Sequence, residues 1–386
     1  MNKVIAIGLL IWGGYAINVN ALSPSVIMQP QAMDAAPANG FGGYDAKSGI
    51  GTTGGIHASK DMIFAVKTKQ ELMDAITINK GKPRIIQVIG TIDISENRPY
   101  QNFADQKSRS LIKIPSNTTL IGVGDNAGFI HGSLIVSKAQ NVIIRNLAIE
   151  APVDVAPHFE EGDGWNAEWD GINIIESTYI WIDHVSFTDG KFTDDQYIHK
   201  DGWKYVQHDG LLDIKRGSDF ITVSYSLFEN HDKTILIGHN DKNDAQDENK
   251  LHITFHHNVF DNLRQRTPRI RFGKVHLYNN VFTGSVQKSA TIYPYLYSIG
   301  LGVKSSVISE NNLFHIQGLT DSCKIVKQFG NNNIQDSGSI FNEMPLSWSK
   351  CHFDNQMSWS IPYQYTLDDP NNFRSNYNQN VGNGKW

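Results

Sequence analysis

The chain has 386 residues, 40% hydrophobic and 19% charged, which is the composition of an ordered protein rather than a disordered chain. Its 34 basic and 39 acidic residues give a formal net charge of −5. This acidic balance argues against a general nucleic-acid binder and against a protein held to anionic membranes by overall charge. A polyanionic ligand would therefore need a local basic cluster or a bridging cation.

The first residues predict a secretory signal over residues 1–21. Lys3 supplies a positive start, residues 4–17 are largely apolar, and small residues precede a cleavage site after Ala21. A membrane anchor is the alternative, but the apolar stretch is shorter than the ~20 residues that a helical span requires. We therefore expect a secreted, extracellular protein that has no membrane contact once the signal is removed.

A short amphipathic helix is predicted over residues 68–76, after a loop-like segment rich in Gly, Pro, Ala and Ser at 22–60. Thr68 and Glu71 have the spacing of a reciprocal capping box. Leu72, one turn before Ile76, shares an apolar face with it.

From residue 84 onward, short β-rich runs alternate with turns and polar loops. Six of these runs resemble one another, because each alternates apolar residues and then carries a polar pair followed by an aliphatic residue. Five of the six end in Phe. The runs lie at 141–149, 179–187, 220–228, 251–260, 274–282 and 305–314.

Aligning the runs on the second polar residue gives intervals of 38, 42, 32, 22 and 32 residues. The aligned residues are Asn146, His184, Ser226, Asn258, Asn280 and Asn312. The shortest interval fits one coil of a β-solenoid, and the longer ones fit a coil plus a side loop. An antiparallel sandwich is the main alternative, but it would need tight hairpin signals that are scarce here. The repeat therefore predicts an all-β parallel β-helix with an internal Asn ladder.

The two ends of the solenoid need covering, since open coil ends expose unpaired strands. We expect the helix at 68–76 to cap one end and residues 315–386, which lose the repeat, to form an irregular C-terminal arm. Cys323 and Cys351 would form a disulfide in an exported protein, with two free buried thiols as the alternative. Residues 22–386 are then a single domain with a catalytic core at about 60–315.

Three aspartates are candidates for a metal site because each lies beside a glycine in or near a β run: Asp170, Asp209 and Asp213. Calcium takes 6–8 oxygen ligands, largely from carboxylates, carbonyls and water. On a straight strand Asp209 and Asp213 would be ~13 Å apart, so the chain must bend between them, as Gly210 permits. The alternative is that each aspartate only caps a turn, and spacing alone leaves both open.

Four basic residues are candidates for binding an acidic ligand. Lys233 follows the last of these aspartates by about one coil, so the two would lie on adjacent rungs. Arg266, Arg269 and Arg271 fall within six residues, and strand alternation puts the last two on one face. Arg is suited to bidentate capture of carboxylates. A solvated run of charge is the alternative.

Several separate motifs, in this order, resemble the signature stretches of the pectate lyase superfamily, specifically its family 1. They are WNAEWD at 165–170, WIDH at 181–184, QHDGLLDIK at 207–215, NHDK at 230–233 and RTPRIRFG at 266–273. The GTTGG run at 51–55 also resembles that family's N-terminal region. The resemblance covers roughly residues 40 to 315.

This resemblance implies a right-handed parallel β-helix and a calcium-assisted lyase. From the predicted signal we expect the enzyme to be secreted, and we expect it to be a monomer. The enzyme would cleave polygalacturonate by calcium-assisted β-elimination to 4,5-unsaturated products. It implies the following roles: Asp170, Asp209 and Asp213 as calcium ligands, with Glu168 an open addition; Arg266 as catalytic base; and Lys233, Arg271 and Arg269 at the substrate. His184, His208 and His231, although near aspartates, are interpreted as hydrogen-bonded structure.

Three other functions remain open for the same fold. A pectin lyase acts on methyl-esterified substrate and lacks the acidic cluster. A polygalacturonase hydrolyses with paired carboxylic acids. A non-catalytic β-helix that binds polysaccharide would need no convergence of Asp, Lys and Arg side chains.

Overall fold

Parallel strands stacked in register form the body of the protein. The computed structural model describes residue 36 and residues 39–44, 51–372 and 379–385. The predicted signal at 1–21 lies outside the described residues. The parallel β-helix predicted from the repeat is confirmed, and no helix in the described ranges is long and apolar enough to cross a bilayer.

Three series of parallel strands run along the axis, and are called here the first, second and groove sheets. The first sheet contains Ile63–Val66, Arg84–Asp93, Thr118–Ile130, Gln140–Arg145, Thr178–Asp183, Asp219–Ser224, His252–His256, Lys274–Tyr278, Ser306–Glu310 and Asn333–Ser337. The second sheet contains Ala148–Glu150, Ser186–Thr188, Leu227–Lys233, Val259–Gln265, Val281–Ser285, Leu313–Gln317 and Ile340–Phe341, the last paired antiparallel with Met344–Pro345. The groove sheet contains Leu111–Lys113, Ser133–Ser137, Ile172–Ile175, Leu212–Lys215, Ile235–Ile237, Arg269–Ile270, Ile299–Leu301 and Val326–Gln328.

The remaining elements are short helices and two small hairpins. The α-helices are α1 (Lys69–Thr77), α2 (Phe103–Arg109) and α3 (Asp244–Asp247), and the 3-10 turns are Phe41–Gly43, Lys60–Met62, Asp194–Gln196 and Ser322–Ile325. The hairpins pair His158–Glu160 with Gly164–Asn166 and His199–Lys200 with Trp203–Lys204.

The interior is built from like residues stacked on like, because each inward position meets its counterpart in the next coil. On the second sheet the Phe residues that end the repeat form one continuous stack, with ring centroids 4.6 to 5.1 Å apart. Its members are Phe187, Phe228, Phe260, Phe282 and Phe314. Burying a Phe side chain contributes roughly 1.5–3 kcal/mol, so this stack stabilises the coils that carry the site.

The predicted Asn ladder forms at three of its six proposed positions. Asn258 Nδ2 donates to Asn280 Oδ1, and Asn280 Nδ2 donates to Asn312 Oδ1, each over 3.0 Å. The backbone N–H of Ser226 joins the same ladder through Asn258 Oδ1.

The assignment of Asn146 and His184 to this ladder is wrong by one residue. Strand pairing aligns Phe187 with Phe228, so Val185 is the residue equivalent to Ser226. In the runs at 141–149 and 179–187, the polar pair lies one residue further from the position of the Phe stack than it does in the later runs. Stacking of the apolar core, rather than the polar pair, sets the register of these strands. Asn146 instead donates to the carbonyl oxygens of Gly122 and Gly124.

The N-terminal end is capped by α1, as predicted. Thr68 and Glu71 form the reciprocal capping box, and Leu72 is fully buried. The fully buried Arg84 caps the C-terminal end of the helix. Its guanidinium donates to the carbonyl oxygens of Ala75, Ile76 and Ile78, at 2.6 to 3.1 Å. A cation at this position satisfies carbonyls that the last turn leaves unpaired.

The C-terminal arm begins later than predicted, because parallel strands continue to Phe341. Ser339 Oγ extends the ladder by accepting from the backbone N–H of Asn312, so the last coil uses Ser where the earlier ones use Asn. The predicted disulfide between Cys323 and Cys351 is present.

The last described residues return to the early coils. Gly382 N–H donates to Tyr225 O, Asn383 N–H to Ser186 Oγ, and Gly384 N–H to Asn146 Oδ1, over 2.8, 3.1 and 2.7 Å. We call residues 381–385 the tail clasp.

We predict that Asn280→Ala lowers the free energy of unfolding by about 3 kcal/mol or more. The change removes the hydrogen bonds of the Asn280 side chain to the Asn258 N–H, to Asn312 Oδ1 and to the Phe255 carbonyl, and each buried group left short of a partner costs about 1–3 kcal/mol. Denaturant unfolding followed by circular dichroism measures the change. The exposed Asn126→Ala is the control and should alter stability by no more than about 0.5 kcal/mol. Equal effects in both variants would contradict a structural ladder.

Candidate active site

The candidate site lies on the outer face of the groove sheet. Register pairing brings Asn173, Asp213, Leu236 and Arg269 into one row across successive strands. The residues that follow them point inward, and Ile270 among them is fully buried. Strand alternation therefore directs the charged side chains outward.

Two of the predicted aspartates lie together around one glycine. Asp170 and Asp213 are buried, and Gly210 N–H donates to Asp170 Oδ1 over 3.0 Å. A Cβ added at Gly210 would lie 2.8 Å from Asp170 Oδ1 and 2.8 Å from Asp213 Oδ1. The two carboxylates therefore share one small space, which a side chain at position 210 would fill. Asn173 Nδ2 donates to Asp170 Oδ2 over 2.7 Å and orients this carboxylate.

Lys215 supplies the positive charge between these carboxylates. Its Nζ lies 3.0 Å from Asp213 Oδ2 and 3.5 Å from Asp170 Oδ2. Burial disfavours the charge, but the two aspartates raise the pKa of Lys215 above its usual value. One partly buried ammonium thus faces two buried carboxylates.

The third predicted aspartate adds to this excess of negative charge. Burial and the neighbouring Asp213 raise the pKa of Asp209, against Lys233 and Lys215. Burial, Asp213 and Asp209 likewise raise the pKa of Asp170 well above its usual value. The bend expected at Gly210 therefore brings all three carboxylates within electrostatic reach of one another.

The carboxylate oxygens are not arranged as a closed metal site. No group of three or more His, Cys, Asp or Glu residues within the described ranges has the spacing to hold an ion. Glu168, the open fourth ligand, is exposed, and its backbone N–H donates to Asp154 Oδ2. Its role stays a prediction.

The three predicted arginines lie together beside these carboxylates. Arg266 and Arg269 both flank Tyr297, where burial raises the tyrosine pKa and the two arginines oppose the rise. Burial, Arg271 and Arg266 lower the pKa of Arg269, whose guanidinium lies 3.8 Å from the centroid of the Phe329 ring.

Arg271, at the other end of the arginine cluster, forms an ion pair. Arg271 Nε donates to Asp241 Oδ1 over 2.6 Å, and the Asp241 side chain is mostly exposed. An exposed pair of this kind contributes little to stability, so Arg271 remains able to exchange its partner.

Lys233 approaches the site from the turn between the second and groove sheets. It ends the strand Leu227–Lys233 and lies three residues before Leu236, the register partner of Asp213. The expected position on an adjacent coil is therefore correct, although the two residues are not directly paired. Lys233 Nζ donates to Asn166 Oδ1 over 2.8 Å.

The residues missed by the motif analysis are those that hold the charged groups in place: Lys215, Asn173, Asn166 and Tyr297. Lys215 could have been found from strand alternation, because it lies two residues after Asp213 on the same strand. Asn173 is the register partner of Asp213, and Asn166 lies within the WNAEWD motif on the strand Gly164–Asn166. Tyr297 comes from a distant loop, and no local pattern marks it.

Comparison with known proteins finds relatives that are similar over most of this chain. A family model described as pectate lyase matches residues 4–386. Pectate lyase D of Dickeya chrysanthemi is 51% identical over 342 residues, which is 87% of each chain. Pectate lyase of Bacillus subtilis is 32% identical over 394 residues, covering 90% of this chain and 92% of the relative.

Solved structures agree with these relatives. A pectate lyase bound to a hexasaccharide superposes with a TM-score of 0.84 at 31% identity, covering 92% of this chain and 98% of that chain. The similarity thus extends over nearly the whole length of both molecules.

We predict that Gly210→Ala lowers the free energy of unfolding by about 1–3 kcal/mol. The new Cβ would lie 2.8 Å from both Asp170 Oδ1 and Asp213 Oδ1, and overpacking of a closed space costs about this much. Gly284→Ala is the matched control, since its Cβ would meet no atom nearer than 3.7 Å. Chemical unfolding of both variants measures the difference. Unchanged stability in Gly210→Ala would mean that the carboxylates move aside freely.

Proposed function

The chain belongs to the pectate lyase family, and from this premise we propose that it cleaves α-1,4-linked polygalacturonate by β-elimination. The observation that carries the proposal is the convergence of three aspartates, Lys233 and Arg266 on one groove. A polymer with a carboxylate on every sugar needs both cations and a proton acceptor along its path.

We further propose that the aspartates hold Ca²⁺. Asp170 and Asp213 direct their Oδ1 atoms into one shared space, and like charges raise the pKa of Asp170 and Asp209. Oxygen donors of this kind suit a hard cation, which would relieve that repulsion. Asp170, Asp209 and Asp213 would hold the cation, whose positive charge would stabilise the negative charge that develops beside the substrate carboxylate.

Arg266 is the proposed general base. The proton on C5 of galacturonate is α to the carboxylate, and Arg266 would accept it. The electron pair left on C5 forms the C4–C5 double bond as the C4–O bond breaks, and the leaving oxygen takes up a proton.

Lys233 and Arg271 are the proposed ligands of the substrate carboxylates, with Arg269 beside them. Their present partners are a neutral amide, Asn166, and a mostly exposed carboxylate, Asp241. Both can give way to a substrate carboxylate at modest cost, and Arg can then bind it through two hydrogen bonds.

The rival functions fit this groove less well. A methyl-esterified pectin would give Lys233, Arg271 and a cation no charge to bind. Hydrolysis by paired acids would leave the arginine cluster without a role. A purely binding protein would need no base.

Export of the mature protein is also proposed. The predicted signal at 1–21 supports it, and so does the Cys323–Cys351 disulfide, since disulfides persist in oxidising compartments. We propose that the secreted enzyme acts as a monomer.

We predict that removal of calcium with a chelator abolishes formation of the unsaturated product from polygalacturonate, measured by its ultraviolet absorbance. Asp209→Asn and Asp213→Asn should weaken calcium binding and be partly rescued by excess calcium. The exposed Asp61→Asn serves as control and should behave as the unchanged protein. Full activity after verified metal removal would rule out the cation.

We predict that Arg266→Lys lowers kcat by about 10² to 10⁴ while preserving fold and calcium binding. Lys keeps the charge but cannot place a lone pair at the same point, and general-base catalysis is worth about this factor. Arg271→Lys should instead raise KM more than it lowers kcat, and Arg269→Lys should have the smallest effect. Steady-state kinetics of the three variants test this order.

The three variants make the same chemical change within six residues, so general charge effects largely cancel. An equal loss of kcat in all three would mean that the cluster acts as one electrostatic unit. An active Arg266→Lys beside an inactive Arg271→Lys would move the base to Arg271.

A further inference from the structure

We propose that His231 is a positioning residue that fixes the Asp209–Gly210 peptide and so sets the direction of two aspartates in the cation site. The inference rests on the proposed function, because it takes Asp209 and Asp170 to be cation ligands. From the sequence alone, His231 is interpreted as hydrogen-bonded structure.

The ring of His231 lies under the groove with both nitrogens engaged. Nδ1 lies 2.5 Å from Asp189 Oδ1, and Nε2 lies 2.8 Å from the backbone oxygen of Asp209. His231 and Asp189 are each 1% exposed. A carboxylate and a carbonyl oxygen only accept hydrogen bonds, so both ring nitrogens donate. The ring therefore has a single orientation that satisfies both contacts.

Asp189 is itself held from its other side. Tyr293 Oη donates to Asp189 Oδ2 over 2.6 Å, and Tyr293 is buried. With one oxygen on the tyrosine and the other on the imidazole, the Asp189 carboxylate cannot rotate without breaking a buried hydrogen bond. Tyr293, Asp189 and His231 thus form a rigid chain that ends at the Asp209 carbonyl.

The peptide between Asp209 and Gly210 is clamped on both edges. Its carbonyl accepts from His231 Nε2, and its N–H donates to Asp170 Oδ1 over 3.0 Å. In a planar trans peptide these two groups point in opposite directions, so the two contacts fix the plane. Loss of the His231 contact would let the plane turn, which would release Asp170 Oδ1 and redirect the Asp209 side chain together.

Amide substitutions separate the two contacts of the ring. Asn at position 231 can reach Asp189 but not the Asp209 carbonyl, whereas the longer Gln can place its amide nitrogen near the position of Nε2. His252→Asn is the matched control, because His252 Nδ1 also pairs with an aspartate, Asp219, over 2.7 Å on the first sheet away from the groove.

The experiment measures Ca²⁺ affinity by isothermal titration calorimetry without substrate, and kcat and KM at saturating Ca²⁺. We expect His231→Asn to weaken Ca²⁺ binding by about 10- to 100-fold, the usual effect of losing a contact behind a metal ligand. His231→Gln should keep most of the affinity, and His252→Asn should keep all of it. Excess Ca²⁺ should restore much of the kcat of His231→Asn, since Arg266 is untouched.

Two results would overturn the inference. One is that folded His231→Asn binds Ca²⁺ as tightly as His252→Asn does. The other is that His231→Gln loses as much affinity as His231→Asn, which would make the ring charge the cause. If His231→Asn does not fold, Tyr293→Phe takes its place, with a smaller loss of affinity expected and an unchanged affinity decisive against the proposal.

The same titrations distinguish this inference from the proposed function. If the unchanged protein binds no Ca²⁺, or if Asp209→Asn binds it equally well, the cation role of Asp209 is wrong and the positioning role falls with it. If Asp209→Asn weakens binding and His231→Asn does not, the cation site stands and only the positioning role is refuted.

Discussion

Each residue of a coil meets its register partner in the coils before and after it, at the ~4.8 Å spacing of neighbouring strands. This single constraint decides which side chains the protein can carry. Phe stacks on Phe and Asn hydrogen-bonds to Asn because such pairs gain from close repetition. Like charges repel at this spacing, and the row through Asp213 passes from Asn173 to Leu236 before it reaches Arg269.

The groove is where the protein departs from this rule. Asp170, Asp209 and Asp213 come from two neighbouring coils and approach each other more closely than buried carboxylates favour, with only Lys215 between two of them. The aromatic stacks inside these coils support this arrangement. Under the proposed function, a carboxylate cluster on such a support would need little rearrangement to take up a cation and an acidic polymer.

The sequence was informative wherever one residue type recurs at one structural position. The Asn residues at 258, 280 and 312 predicted the ladder, and Thr68 with Glu71 predicted the capped helix. The register of the strands was harder to predict. In the run containing His184, alignment on the polar pair and alignment on the Phe stack differ by one residue, and packing of the core decides between the two. The last coil was missed since Ser339 replaces Asn there. Lys215 was missed because a charge that neutralises others leaves no motif of its own.

The tail clasp changes how such a stack can come apart. A solenoid held only by contacts between adjacent coils can fray one coil at a time from either end. Here residues 382–384 cross successive coils through Tyr225, Ser186 and Asn146, in the direction opposite to chain growth. These are also the coils that carry Asp170, Asp213 and Lys233 on their groove side. The clasp therefore links these coils on the side away from the groove. The aspartates and the lysine can move apart only if the hydrogen bonds of the clasp break as well. Opening of this region is then a cooperative event rather than a local one.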